Sequence, residues 1–279
     1  MRTLTVEQSS TGGPMTSVDN ATPRIAVVTG AARGIGRGIA ERLAEDGLDV
    51  VVADLPGMAE ELSAVAAGIE KTGRRALAVH ADVTSKEQTD ALVAAAADRF
   101  GRVDVYVANA GIARVTPLLE TELAEFEQVM AVNLRGVFLS YQAAARQMIA
   151  QGGGGKIIGA ASIVAHRPFA LLGTYSASKW GVRGLTQAAA MEWARYGITV
   201  NAYCPGIVGT DMWDLIDERL AEEAGIQKGQ AIKKHAEAIA LGRVEEPADV
   251  ASFVSYLASR DSDYMTGQSV MIDGGIQFA

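Results

Sequence analysis

From Arg24 onward the chain alternates short β-branched runs with longer stretches in which apolar residues recur every three to four positions. Ile25–Thr29 predicts a first strand, followed by a glycine loop and a helix to about Asp46. Val50–Ala53 predicts the second strand, ending at Asp54. A helix from about Met58 to Lys71 leads to a third strand, Ala76–His80, which runs into Ala81-Asp82-Val83. Glu87–Phe100 has helical periodicity, Val103–Ala108 reads as the fourth strand and Leu123–Ala150 as one long helix. After a glycine connector at Gly152–Gly155 come strand Lys156–Ala160, helix Tyr175–Tyr196, strand Thr199–Tyr203, helix Pro247–Ser259 and strand Ser269–Ile272. Strands alternating with helices in this way run parallel, joined by right-handed crossovers and covered on both faces. The expected architecture is α/β: a single domain over 23–279, built on one doubly wound seven-stranded parallel sheet. No internal repeat and no linker marks a second domain.

The first 22 residues break the pattern. They are polar, rich in Ser, Thr and Gly, and lack the apolar run of a signal peptide, so a disordered tail is expected, with Met15 a possible start in place of Met1. No later stretch has the roughly 18 consecutive apolar residues of a membrane span. A soluble, cytoplasmic protein is expected.

Composition narrows the function. Hydrophobic residues make up 49% of the 279, enough for a large core, and 30 glycines suit many tight strand-to-helix turns. A formal charge of −8 and a pI near 5.0 oppose binding to nucleic acid or to an anionic membrane surface. The one cysteine, Cys204, excludes an intrachain disulfide and suits a small buried hydrophobe. Three histidines, with no pair at ligand spacing, give no basis for a metal site.

Three features carry chemistry. The first strand-to-helix turn reads Thr29-Gly30-Ala-Ala-Arg33-Gly34-Ile35-Gly36. Its glycines allow close backbone approach, and the next helix offers free N–H groups and a positive dipole end, which together suit a pyrophosphate. The spacing is G-x-x-x-G-x-G, and a glycine turn can also serve packing alone. Asp54 falls where a carboxylate can accept from the adenosine ribose hydroxyls and would repel a 2′-phosphate. This favours NAD(H) over NADP(H), with Arg33 the contrary hint. Asp82 could meet the adenine edge or cap a helix. Finally, Tyr175 and Lys179 lie four residues apart, one turn above the other on a helix. An ammonium there should lower the phenol's pKa from about 10 and make it a proton donor and acceptor for a carbonyl/alcohol pair.

From Arg24 to the C-terminus the sequence resembles the short-chain dehydrogenase/reductase family. The resemblance rests on Thr29-Gly-x-x-x-Gly-Ile-Gly36, Asp82-Val83, Asn109-Ala110-Gly111, Asn133, Ser162, Tyr175-x-x-x-Lys179, and Pro205-Gly206 followed by Thr210. Ala108 departs from the usual Asn-Asn-Ala-Gly and leaves the Asn109-Ala-Gly turn intact. The resemblance implies a Rossmann fold and an NAD(P)-dependent enzyme acting on CH–OH groups. It casts Tyr175 as general acid/base, Lys179 as its electrostatic partner and holder of the nicotinamide ribose, and Ser162 as donor to the substrate oxygen. Asn133, a poor helix former inside a helix, would hold a water linking Lys179 to solvent. Val83, Asn109, Ala110, Gly111, Pro205, Gly206, Ile207 and Thr210 would line the dinucleotide, the last two near the carboxamide. The family usually assembles as tetramers, so a homotetramer is expected.

Substrate choice in the family lies in the segment after the sixth strand, here a small lid at about 207–240, and in the loop after Ser162. Ile163, His166, Phe169, Leu171, Leu172, Met212 and Trp213 are the candidates, although such residues often only pack and a loop histidine is often only solvated. Tyr203–Trp213, Ile239–Arg243 and Val254–Gln268 resemble the acetoin/diacetyl reductase (2,3-butanediol dehydrogenase) group. That implies a short hydroxyketone, diketone or diol. A polyol dehydrogenase, a 3-oxoacyl-thioester reductase lacking the basic rim such a substrate would want, and a non-catalytic nucleotide-binding regulator are the other readings. Asp217-Glu-Arg219 and Glu222-Glu223 read as a solvated helix face, and Trp180, Trp193 and Phe253 as helix packing.

Overall fold

Seven parallel strands form one sheet in the order β3-β2-β1-β4-β5-β6-β7. They are β1 (Ile25–Thr29), β2 (Asp49–Asp54), β3 (Ala76–His80), β4 (Val105–Ala108), β5 (Gly155–Ala160), β6 (Ile198–Pro205) and β7 (Ser269–Ile272). The computed structural model describes residues 23–278. The expected N-terminal tail and the choice between Met1 and Met15 lie outside the described residues.

The five inner strands are buried on both faces and read as unbroken apolar runs rather than alternating ones, while the edge strands β3 and β7 are only partly buried. Helices α1 (Gly34–Glu45), α2 (Ala59–Lys71) and α9 (Pro247–Ala258) cover one face, with Ile39, Leu43, Leu62, Val65, Val250 and Val254 packed on Ala26, Val28, Val50 and Val52. Helices α3 (Lys86–Phe100), α5 (Gly136–Gln151) and α6 (Gly173–Trp193) cover the other, where Leu92, Tyr141, Met148 and Val182 meet Val27, Val51, Tyr106 and Ile157. The helix ends follow local chemistry. The Ser85 hydroxyl caps α3 by accepting from the Gln88 N–H, and Glu246 and Asp249 reciprocally cap α9, whose first turn holds Pro247. The strand order reverses between β1 and β4, and a crevice at the carboxyl ends of strands flanking such a switch is where ligands bind in this architecture.

Four expectations need correction. The helix expected over Leu123–Ala150 is α4 (Leu123–Met130) and α5 joined through a π-helical turn at Ala131–Arg135. The extra residue is accommodated around Asn133, whose amide bonds outside the helix, and such bulges are frequent at functional sites. Residues 207–240 contain two helices, α7 (Asp211–Ala224) and α8 (Gln230–Ala236), of which only a charged face was foreseen. Within that face Asp217 is buried, accepting from the N–H groups of Gly229 and Ile232, so that it ties α7 to α8. Trp180 is exposed, carrying Arg183 over its ring, whereas Trp193 and Phe253 do pack against the core. Among the described residues no helix is long and apolar enough to cross a membrane.

Candidate active site

The turn after β1 is shaped for close approach. Gly30 has φ +64°, and a Cβ at Gly36 would lie 2.0 Å from the Gly30 carbonyl, so no side chain fits there. Arg33, extended at the start of α1, offers no side-chain cap, and the first turn of α1 holds no acidic residue. The leading N–H groups of α1 are therefore left for an anionic ligand. Asn109, just beyond β4, braces the turn by donating to the carbonyls of Thr29 (2.8 Å) and Gly30 (3.1 Å). The Thr29 hydroxyl in return accepts from the N–H groups of Asn109 and Ala110.

Asp54, at the end of β2, is half-buried and turned toward the same turn. Its oxygens accept from the N–H groups of Ala32 (3.0 Å) and Leu55 (2.8 Å). Arg33 is already engaged, its guanidinium 2.6 Å from Asp211 at the start of α7. Asp82 caps no helix: its carboxylate accepts from the Thr84 N–H and hydroxyl, while Ser85 does the capping. Val83 is buried against Gly136 at the start of α5.

Tyr175 and Lys179 sit in the first two turns of α6, beside Ser162 at the end of β5. Burial pushes the Tyr175 phenol up to about 12, against which the Ser162 hydroxyl pulls it down. Burial drives the Lys179 ammonium down to about 8. Its Nζ donates to the Ala160 carbonyl at 2.8 Å and lies 5.4 Å from the centre of the Tyr175 ring. The expectation that the lysine lowers the phenol's pKa is thus corrected. Desolvation sets the direction, and Lys179, turned toward the Ala160 carbonyl, is not among the groups that act on the phenol. Burial thus favours the neutral phenol.

Asn133 is fully buried in the π turn. Its amide donates to the Ile112 carbonyl (2.8 Å) and the Ser178 hydroxyl (3.1 Å), and its Oδ1 accepts from the Ile112 N–H (2.9 Å). It thereby fixes the chain just after Gly111, where a Cβ would stand 3.4 Å from Asn133 Oδ1 and 3.5 Å from Lys179 Nζ. On the far side Ile207 is buried, and Thr210 packs on Gly34, so the Pro205–Thr210 segment adjoins the glycine turn.

The substrate candidates divide. Phe169 and Trp213 both face the His235 ring, with centroids 6.4 and 6.5 Å apart, so the loop after Ser162 meets α7 and α8. His166 is turned away from this cluster, its Nε2 3.7 Å from Cys204 Sγ. Burial and the Arg183 cation lower its pKa. Cys204 is fully buried, and burial pushes its thiol up to about 12. Ile163 and Leu172 are buried and Met212 half-buried. Leu171 has φ +65°, strained for a bulky residue, and its carbonyl is held by the Thr116 N–H at 2.9 Å.

Sequence reasoning missed Tyr203, His235 and Glu245. Tyr203 donates from β6 to Asn109 Oδ1 at 2.7 Å, and Glu245 accepts from the Gly206 N–H at 3.0 Å. Tyr203 looked like one more apolar strand position, and nothing in the order of residues brings Glu245 to Gly206.

Residues 24–221 match the short chain dehydrogenase family. The chain is 49% identical to L-2,3-butanediol dehydrogenase of Corynebacterium glutamicum, over 91% of this chain and 99% of that one. It is 46% identical, over the same shares, to a diacetyl reductase [(S)-acetoin forming] of Staphylococcus epidermidis. Among solved structures, levodione reductase superposes with a TM-score of 0.86 at 35% identity, covering 91% of this chain and 97% of that one.

Proposed function

Because the chain belongs to the short chain dehydrogenase family, we propose that it is an NAD(H)-dependent oxidoreductase interconverting a small vicinal ketone and its secondary alcohol. Acetoin or diacetyl and 2,3-butanediol are the preferred substrates. The observation that carries this reading is the Ser162–Tyr175 hydroxyl pair with Lys179 one turn on, set at the carboxyl end of β5 beside the glycine turn. The relatives named for butanediol and diacetyl, aligned over nearly their whole length, favour that substrate class.

The residues fit a dinucleotide. Gly30, Gly34, Ile35 and Gly36 leave backbone room and uncapped N–H groups for the pyrophosphate. Asp54 keeps lone pairs for the adenosine ribose hydroxyls, and its charge disfavours a 2′-phosphate that Arg33, held by Asp211, does not offset. Asp82, Val83 and Asn109–Gly111 border the adenosine side, and Pro205–Thr210 the nicotinamide side. When bound, the cofactor supplies or accepts the hydride.

The chain's own groups handle the proton and the orientation. In reduction neutral Tyr175 donates its phenolic proton to the oxygen of the forming alkoxide and is left as the phenolate. In oxidation that phenolate, which a protonated Lys179 favours, is the form that takes the proton back. Ser162 hydrogen-bonds the same oxygen and stabilises the charge that develops there. Lys179 holds the ribose side of the site and, while protonated, favours the phenolate. Asn133 fixes the backbone beside it. Residues 207–240 act as a lid, with Trp213 and His235 meeting Phe169 over the mouth. Assembly into a homotetramer is part of this reading, and Phe126 on α4 and Phe138 on α5, each two-fifths exposed, offer an apolar face for contact with a second copy.

The test is NADH consumption with diacetyl, acetoin, small sugars and an acetoacetyl thioester. Turnover of diacetyl and acetoin well above the rest is expected; preference for a sugar or the thioester would replace the substrate assignment.

A further inference from the structure

A buried carboxyl stands behind the Pro205–Thr210 segment. Glu245, on the loop leading into α9, is 8% exposed and holds that segment in three ways. Its N–H donates to the Ile207 carbonyl (2.8 Å), its carbonyl accepts from the Gly209 N–H (2.9 Å), and its Oε2 accepts from the Gly206 N–H (3.0 Å). The Gly206 N–H is shared with the Ile272 carbonyl at 2.9 Å, so the carboxyl receives only part of one donor. Its Oε1 is buried and has no hydrogen-bond partner.

The charged groups facing it are Asp249 on α9, Asp273 beyond β7 and Arg243 on its own loop. Arg243 is spent on Asp249, through two hydrogen bonds of 2.6 and 2.7 Å. Asp273 spends its oxygens on the N–H groups of Gly275 and Gln277. Two anions and one committed cation around an under-solvated carboxyl favour the neutral acid. Burial accordingly pushes Glu245 up to about 8.

We propose that Glu245 is a positioning residue for the nicotinamide segment and that its ionisation biases the site between the two redox forms of the cofactor. The neutral acid treats both forms alike. A carboxylate at Gly206 favours the positively charged nicotinamide of NAD+ over the uncharged ring of NADH. The inference rests on the assignment of residues 205–210 to the nicotinamide. Because Lys179 titrates in the same range, the informative comparison is with Glu245→Gln, which keeps the shape and one acceptor oxygen while leaving Lys179 in place.

The experiment measures dissociation constants of NAD+ and NADH by calorimetry, below and above the Glu245 titration, for wild type and Glu245→Gln. The ratio Kd(NADH)/Kd(NAD+) should rise about threefold or more further in wild type than in the variant, the size expected of one partly buried charge. A mere loosening of the segment would shift both constants together and leave the ratio alone. Equal ratios in the two proteins would overturn the inference. Infrared difference spectra provide a readout without cofactor. A protonated-carboxyl C=O band should be present in wild type at neutral pH, vanish above its titration and be missing from the variant. Lack of that band in wild type sinks the inference and leaves the functional reading standing, whereas binding of neither dinucleotide overturns the functional reading and the inference with it.

Discussion

The Tyr203 hydroxyl donates to Asn109 Oδ1 at 2.7 Å, and the amide of that asparagine holds the carbonyls of Thr29 and Gly30. A tyrosine on β6 therefore fixes the glycine turn after β1, across β5 and β4. Tyr203→Phe leaves the part-buried Oδ1 without its donor, at a cost of about 1 kcal/mol or more. A several-fold rise in the dissociation constant for NADH is expected, with kcat changed far less. An unchanged constant would show that the turn holds its shape without this brace.

Asp54 faces the same turn from β2. Asp54→Ala removes the ribose acceptor and the charge that repels a 2′-phosphate, so the NADPH/NADH ratio of kcat/KM should rise by about tenfold or more, or 1.4 kcal/mol. A static ratio would place cofactor choice elsewhere.

Asp217 joins the two helices of residues 207–240 through its bonds to Gly229 and Ile232. Asp217→Ala removes the shared acceptor of two part-buried N–H donors, a loss of about 1–3 kcal/mol in all, in a segment remote from the sheet core. KM for the carbonyl substrate should rise by about an order of magnitude, and limited proteolysis should cut within 207–240 well before the rest. Resistance equal to wild type would mean that α7 and α8 stay together without it.

Glu245 also marks the pH dependence of folding. Its carboxyl is raised from 4.5 to about 8, so between those values the folded chain keeps a proton that the unfolded chain has lost. Its contribution is present below 4.5 and falls away as pH rises to about 8. Thermal unfolding of wild type and Glu245→Gln should diverge over that window, with the variant gaining relative Tm, by about 2 °C or more. Parallel curves would mean that the carboxyl ionises at ordinary pH.

The sheet was legible because its inner strands are buried on both faces, and a run of β-branched or apolar residues has few other places to go. The glycine turn, Asp54 and the Tyr175–Lys179 spacing were legible because each depends on neighbours close in sequence. What escaped depends on distance along the chain. The π turn arises because Asn133 bonds to Ile112, 21 residues away, and Asp217 is buried because α8 folds back on α7. The spacing alone presents Lys179 as an ammonium one turn from the phenol that lowers its pKa. Its bond to Ala160 and the shared desolvation of both groups, which reverse the direction of the pKa shift, become visible only when β5 and α6 are packed together.

The most direct measurement is the single-turnover rate of diacetyl reduction by NADH in Tyr175→Phe, with NADH binding measured in parallel. Loss of the proton donor should lower the rate by about 10²–10⁴-fold while the dissociation constant stays within about twofold of wild type. A rate near that of wild type, with NADH bound normally, would contradict the assignment of Tyr175 as the group that delivers the proton.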